Sequence, residues 1–166
     1  LEAIKKAEEK ARAEEIMDIE PKEKEYTPEI YETEIANLRK QVERYRSFWY
    51  LLNGLLTLQE RDISIAEYLQ KKGYPKVAIY GLGMVGKHLA AELEKSGYEI
   101  SFGIDQSENQ VSQFFHVITL QDNPPKKTDL IIVTVTYDFS HIKEQISRKY
   151  SCEVISLKTI LDEMID

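Results

Sequence analysis

A glycine loop between an apolar strand and a helix constrains this chain more than any other feature. The run at 76–80 (Lys-Val-Ala-Ile-Tyr) predicts a buried strand, and the loop 81–86 (Gly-Leu-Gly-Met-Val-Gly) follows it directly. The spacing G-x-G-x-x-G at a strand-to-helix turn is typical of dinucleotide-binding folds. In such a loop Gly81 permits the tight turn, Gly83 lets the backbone approach a pyrophosphate, and Gly86 lets the helix pack closely. The loop therefore predicts a Rossmann-like domain.

The residues after the loop alternate between strand and helix patterns. We predict further strands over 99–104, 115–120, 129–136 and 153–156, and helices over 84–95, about 139–150 and about 158–165. Strands separated by helical crossovers form parallel sheets with right-handed connections. The connection from 105 to 115 is too short for a full helix, so we expect it to be irregular. The predicted fold class is α/β, a small Rossmann-like parallel sheet of about five strands with flanking helices.

An acidic residue stands where a dinucleotide fold places its ribose ligand. Asp105 ends the second predicted strand, nineteen residues after Gly86, and a carboxylate about 20 residues beyond the loop accepts hydrogen bonds from ribose hydroxyls. The loop also fits G-x-x-x-x-G-K through Lys87, but His88 stands where a P-loop needs Ser or Thr for Mg²⁺. We therefore favour the dinucleotide interpretation. The alternative is that the glycines only make a tight turn and Asp105 only caps a loop.

The rest of the predicted site comes from the fourth strand, since ligands of open α/β sheets bind beyond the carboxyl ends of the strands. Asp138 there is equally consistent with a helix N-cap, and His141 could reach the rim of the pocket. We assign no catalytic residue and no metal ligand, because the three histidines are scattered along the sequence. The predicted nucleotide-binding residues are Gly81, Gly83, Met84, Val85, Gly86, Asp105, Thr134, Thr136 and Tyr137.

Residues 28–60 predict a long helix that precedes the sheet. Pro28 suits the first helical turn behind Thr27 as N-cap. Apolar residues recur at alternating spacings of three and four, an a/d heptad pattern that keeps one stripe facing a partner helix. We expect a homodimer through residues 35–56, a possible coiled coil; the alternative is that this stripe packs on the chain's own second helix and domain. The stripe, which we call the seam, consists of Ile35, Leu38, Val42, Tyr45, Trp49, Leu52 and Leu56.

Three sections follow from these patterns. Residues 1–27 form an acidic charged arm or linker. Residues 28–73 form a helical stalk that carries the seam and a short second helix, which begins at the capping box of Ser64 and Glu67 and stops at Gly73. Residues 74–166 form the Rossmann-like nucleotide-binding domain.

Charge and composition exclude several classes of protein. Residues 1–35 carry a net charge of −6 out of −7 for the whole chain. The remainder lacks the basic face that nucleic-acid binding needs, so we expect no nucleic-acid partner. No run approaches the roughly 18 apolar residues of a membrane span, and the N-terminus lacks the apolar region of a signal peptide. The single cysteine, Cys152, permits no internal disulfide, which favours a cytoplasmic location.

The stretch from about Trp49 to Asp166 resembles a known group of domains in its segments 51–56 (LLNGLL), 63–69 (ISIAEYL), 77–83 (VAIYGLG), 103–105 (GID) and 129–134 (DLIIVT). It resembles the Rossmann-like domain of bacterial polysaccharide and capsule biosynthesis proteins, which is often C-terminal to a glycosyltransferase. It is also similar to the nucleotide-sugar-binding half of sugar acetyltransferases. The resemblance implies NAD(P) or a nucleotide-sugar as the ligand, held at Gly81, Gly83, Gly86 and Asp105, and a glycosyltransferase domain or complex as partner. It assigns no role to Lys87 or His88.

Three functions remain open at this stage. The first is a nucleotide- or nucleotide-sugar-binding module of a polysaccharide biosynthesis protein that is not catalytic by itself. The second is an NAD(P)-dependent oxidoreductase or redox-sensing domain. We disfavour it, because hydride transfer needs a substrate site facing the nicotinamide and about 90 residues follow Pro75. The third is a structural oligomerisation module with an empty pocket.

Overall fold

The computed structural model describes residues 27–107, 112 and 114–165. The predicted acidic arm, apart from Thr27, lies outside the described residues, as do residues 108–111 and 113 of the predicted irregular connection. The chain divides into two units, Leu1–Arg39 and Lys40–Asp166. The second unit holds every strand and the candidate site.

The described elements follow the predicted order, with a long helix first and alternating strands and helices after it. They are α1 (Pro28–Glu60), α2 (Ile65–Lys71), β1 (Val77–Tyr80), α3 (Met84–Lys95), β2 (Ile100–Ile104), β3 (Val117–Ile118), β4 (Leu130–Val133), a 3₁₀ turn (Thr136–Asp138), α4 (Phe139–Ser147), β5 (Glu153–Ser156) and α5 (Leu157–Ile165). The Ser64 hydroxyl accepts a hydrogen bond from the Glu67 N–H at 3.3 Å, which begins α2 as the capping box predicts.

The five strands form one parallel sheet in the order β3-β2-β1-β4-β5. From β1 the chain moves outward through β2 to β3, and it then returns to the other side of β1 for β4 and β5. The strand order therefore reverses between β1 and β4, and open α/β sheets bind ligands at such a switch point. The sheet with its flanking helices and preceding long helix is an α/β Rossmann-like fold, which confirms the predicted fold class.

Alternating side chains of the strands build two apolar layers. In β1, Val77 and Ile79 join the layer covered by α2, α3, α5 and the C-terminal part of α1. Ala78 and Tyr80 join the opposite layer, which α4 covers. Every residue of β1, β2 and β4 is buried, as expected for parallel strands with helices on both faces.

Helix α1 contributes to the core of the second unit through one face. Leu51 and Leu58 are buried, and Gly54 packs so closely on α5 that a Cβ there would lie 2.8 Å from Leu161 Cδ1. The seam positions Val42, Tyr45, Trp49 and Leu56 are exposed instead, whereas Leu52 is half-buried against the core. In this unit the seam therefore does not pack on the chain's own domain, except in part at Leu52.

The strands β3 and β4 are each four residues shorter than the sequence predicts, because strand ends depend on neighbouring strands. The fourth predicted strand runs to residue 136, but β4 stops at Val133, opposite Tyr80 at the end of β1. Beyond that pair the glycine loop turns away from the sheet, so β4 loses its partner on the β1 side, and on its other side β5 ends at Ser156, opposite Val133. The edge strand β3 spans two residues rather than six, since it pairs only with Gly103 and Ile104.

Candidate functional site

All but one of the predicted site residues line a single cavity at the switch point. This switch-point cavity, of about 470 Å³, lies beyond the carboxyl ends of β1 and β4. Its volume falls in the usual range of small-molecule sites. Thr136 does not line it. The predicted residues that do are Gly81, Gly83, Met84, Val85, Gly86, Asp105, Thr134 and Tyr137.

The three loop glycines differ in what an added side chain would meet. Gly81 has a φ of +88°, and a Cβ there would lie 2.7 Å from Val135 Cγ2. A Cβ on Gly86 would overlap the Gly81 carbonyl oxygen, so the first turn of α3 can close on the loop only without a side chain. A Cβ on Gly83 would meet no atom of the described residues within 4 Å. Gly81 and Gly86 are therefore needed to build the loop, whereas Gly83 keeps space open at the cavity.

Gly83 is also the N-cap of α3, and it supplies no side-chain cap. The first N–H groups of a helix have no intrahelical partner, and together with the helix dipole they favour an anion. The Lys87 N–H donates to the Gly83 carbonyl at 3.0 Å, which closes the first helical turn. Met84 and Val85 follow Gly83 on the cavity wall. This end of α3 therefore presents backbone donors in the way that phosphate sites use them.

Asp105 joins the end of β2 to the glycine loop. Its Oδ2 accepts a hydrogen bond from the Leu82 N–H at 2.6 Å, and its Oδ1 accepts one from the Ser107 N–H at 2.9 Å. A carboxylate has about four acceptor positions, and among the described residues these two N–H groups occupy two of them. The carboxylate is half-buried and lines the cavity. Asp105 thus holds the loop and can also bind hydroxyl groups.

The two threonines that follow β4, Thr134 and Thr136, use their hydroxyl groups in different contacts. The Thr134 hydroxyl is buried and donates to the Gly81 carbonyl at 2.7 Å, so it fastens the loop to β4. The Thr136 hydroxyl instead contacts the Ser47 hydroxyl of α1. Thr134 therefore lines the cavity with its donor already used, and Thr136 attaches the 3₁₀ turn to α1.

Helix α1 supplies a cation that the sequence analysis missed. The Arg44 guanidinium lies 5.6 Å from the centre of the Phe48 ring and 5.5 Å from that of the Tyr137 ring. The two rings meet edge to face at 6.2 Å. Cation–π contacts of this kind hold a guanidinium in place without neutralising it. All three side chains line the cavity. The signal available in the sequence was the spacing of four between Arg44 and Phe48, which puts them on one helix face off the seam.

Other polar groups complete the cavity wall. The Tyr80 side chain is buried, and burial raises the pKa of its hydroxyl, which therefore stays protonated and available as a donor. Gln106 lies beside that hydroxyl at 3.5 Å. His141, predicted at the rim, does line the cavity, and its Nε2 lies 3.0 Å from Gln145 Nε2. The wall thus carries several hydrogen-bonding side chains around one arginine and two aspartates.

Several chemistry-bearing residues lie elsewhere. Lys87 is exposed on α3, and His88 lines a separate groove between α1 and α3. Tyr68 and Lys72 have the Tyr-x-x-x-Lys spacing of an oxidoreductase acid/base pair, but both bind Glu163 of α5, at 2.6 and 2.7 Å. Burial and the Glu163 carboxylate raise the pKa of Tyr68, which disfavours the tyrosinate form. This trio fastens α2 to α5 away from the cavity.

Comparison with known proteins does not assign the chain to a family. No protein-family model matches it, and no curated protein gives a significant match. Within residues 27–107, 112 and 114–165, no three His, Cys, Asp or Glu side chains are grouped as a metal site would need. Within the same residues, no helix has both the length and the apolar character required to cross a membrane.

Proposed function

We propose that the second unit is a nucleotide-binding module that is not catalytic by itself, with NAD(P) or a nucleotide-sugar as its ligand. The observation that carries the proposal is the open space at Gly83. The loop is built by Gly81 and Gly86, so the absence of a side chain at Gly83 has no steric explanation within the fold. A bound phosphate close to the backbone supplies one.

The groups around Gly83 suit both halves of such a ligand. The N-terminus of α3 offers donors to a pyrophosphate. The free acceptor positions of Asp105 suit ribose hydroxyls, and a carboxylate there favours an unphosphorylated ribose over one with a 2′-phosphate. Arg44, held by its two aromatic rings, offers a charge to a second phosphate or to an anionic sugar.

The biological setting of the module rests on the resemblance of residues 49–166 to polysaccharide biosynthesis domains. We propose that the module serves a bacterial glycosyltransferase domain or complex, for which a bound nucleotide-sugar or NAD(P) is a substrate or an effector. Both ligands belong to the cytoplasmic nucleotide pool, so a cytoplasmic location follows from this proposal.

A thermal-shift panel of NAD⁺, NADH, NADP⁺, UDP and UDP-glucose tests the proposal. A ligand present at about 100 times its Kd stabilises a fold by about 2.7 kcal/mol, which raises the Tm of a unit of this size by roughly 5–10 °C. We expect one member of the panel to raise the Tm and to remain chemically unchanged after prolonged incubation. If every Tm stays unchanged, the binding proposal fails; if a bound NADH is oxidised by the chain alone, the non-catalytic part fails.

A further inference from the structure

The part of α1 within the second unit has two apolar faces, and one of them packs in the core of that unit. The face with Leu51 and Leu58 is buried in the core. On the other face Val42 is 55% exposed, Tyr45 69%, Trp49 68% and Leu56 52%. Scattered apolar side chains are normal on a surface, but a contiguous stripe of large ones marks an interaction site.

The exposed stripe keeps a heptad register. Together with the half-buried Leu52, its members follow the alternating spacings of three and four from residue 42 to residue 56. In the first unit Ile35 and Leu38 continue the same spacing and are exposed as well. An a/d repeat of 3.5 residues matches a helix with the same repeat over several turns. A second copy of this chain carries such a helix.

The groove in which His88 lies extends the exposed surface at the end of the seam. It has a volume of about 360 Å³, and Leu52, Leu55 and Leu56 of α1 line it together with Ala91 of α3. The seam therefore continues past Leu56 into a depression between two helices, which Gln59, Glu92 and Lys95 also line. This depression offers space for side chains of a helix that packs along the seam.

We propose that the seam pairs with the seam of a second copy as a parallel, two-stranded coiled coil. With Ile35 at position a, Glu34 occupies g and Arg39 the following e. In a parallel pair these two positions face each other across the interface with opposite charge. An antiparallel pair would instead bring the e positions together, and of the three within the seam two are arginines, Arg39 and Arg46, and the third is Asn53. The charges therefore select the parallel arrangement, and the pairing does not depend on nucleotide binding.

The mass of the full chain in solution is the primary test. We expect sedimentation equilibrium to give twice the chain mass of 19.3 kDa, with dissociation on dilution. Leu38→Asp with Val42→Asp should give a monomer, because both side chains are exposed and the change leaves the core untouched. Ala36→Asp with Asn37→Asp adds the same charge off the seam and should remain a dimer. A wild-type monomer at every concentration, or a trimer or tetramer, would overturn the proposal.

Trp49 provides an independent readout, since it is the single tryptophan and lies on the seam. Its emission should move to longer wavelength on dilution and in the Leu38→Asp, Val42→Asp variant, while far-UV circular dichroism keeps its folded signature. If Trp49 emission is that of a buried ring in a monomer, another part of the same chain covers the seam and the proposal is wrong.

A charge exchange tests the orientation. Glu34→Arg and Arg39→Glu should each weaken the dimer several-fold, and the double exchange should restore it, because only the parallel register brings the two positions together. A double variant that dimerises no better than the single ones would overturn the parallel arrangement.

Discussion

The carboxylate of Asp105 accepts a hydrogen bond from the backbone N–H of Leu82 at 2.6 Å. This bond joins the end of β2 to the middle of the glycine loop, next to the residue that keeps the cavity open. A carboxylate that accepts N–H bonds forms stronger, charge-assisted hydrogen bonds than an amide does. Asp105 therefore holds the loop, and under the proposed function it also binds a ribose; a substitution can separate the two roles.

Asp105→Asn should keep the fold and weaken nucleotide binding. The amide oxygen can still accept one N–H bond, so we expect a loss of about 1–2 kcal/mol of stability and a fall in affinity of roughly tenfold or more by calorimetry. Asp138→Asn is the matched control, because Asp138 lines the same cavity and its carboxylate is exposed. Reduced stability with unchanged affinity would show that Asp105 only fastens the loop.

Two loop glycines should respond to alanine in opposite ways. Gly86→Ala places a Cβ on the Gly81 carbonyl oxygen, so we expect destabilisation by about 3 kcal/mol or more in denaturant unfolding. In Gly83→Ala the new methyl group has no neighbour within 4 Å in the part of the chain that the structure describes, so the unfolding midpoint should stay close to that of the wild type. Its methyl group occupies the space assigned to phosphate, however, and nucleotide affinity should fall at least tenfold. Full affinity in Gly83→Ala would contradict the assignment of this space.

Arg44→Ala should weaken ligands with two phosphates more than ligands with one. The guanidinium lines the cavity, and a hydrogen bond to a charged group contributes about 1.5–3 kcal/mol. UDP should therefore lose about tenfold or more in affinity, and UMP much less. Arg46→Ala changes the same side chain two residues further along, where it pairs with Glu43 at the surface, and should leave both affinities unchanged. Equal losses of affinity for UDP and UMP would mean that Arg44 does not bind the second phosphate.

Ionisation of the Glu94 carboxyl group should lower the free energy of unfolding as the pH rises from 4 toward neutrality. Its Oε1 is buried without a partner among the described residues, and burial raises the pKa of this carboxyl. A folded-state pKa above the unfolded one means that the folded chain binds the proton more tightly, so stability falls as the proton leaves.

Glu94→Gln removes this ionisation. The variant should melt above the wild type at pH 7, and the difference should shrink to nothing near pH 4, as measured by differential scanning calorimetry across that range. Glu92→Gln on the same helix controls for the exchange of a carboxylate for an amide. A constant Glu94→Gln difference at every pH would contradict this account.

Local patterns were sufficient for elements whose ends are marked in their own sequence, but not for elements whose ends depend on a neighbouring strand or helix. The bounds of α1, α3 and β5 agree with those predicted, because helical periodicity, the glycine loop and short apolar runs are properties of neighbouring residues. The predicted end of β4 at residue 136 was wrong, because the true end depends on where the neighbouring strand β1 stops. The contribution of Arg44 was missed for a related reason. Its place in the cavity depends on the packing of α1 against the 3₁₀ turn, which joins residues far apart in sequence.

A ¹H–¹⁵N NMR titration tests the central claim, nucleotide binding at the glycine loop, most directly. Glycine amides occupy a distinct region of the spectrum, so Gly81, Gly83 and Gly86 can be followed individually. With NAD⁺ or UDP-glucose we expect saturable shifts that are largest at Gly83, Met84 and Val85 and at the amide of Asp105, with small shifts at Gly73 and Gly97. An unchanged spectrum with every nucleotide, or shifts that avoid the glycine loop, would contradict the account.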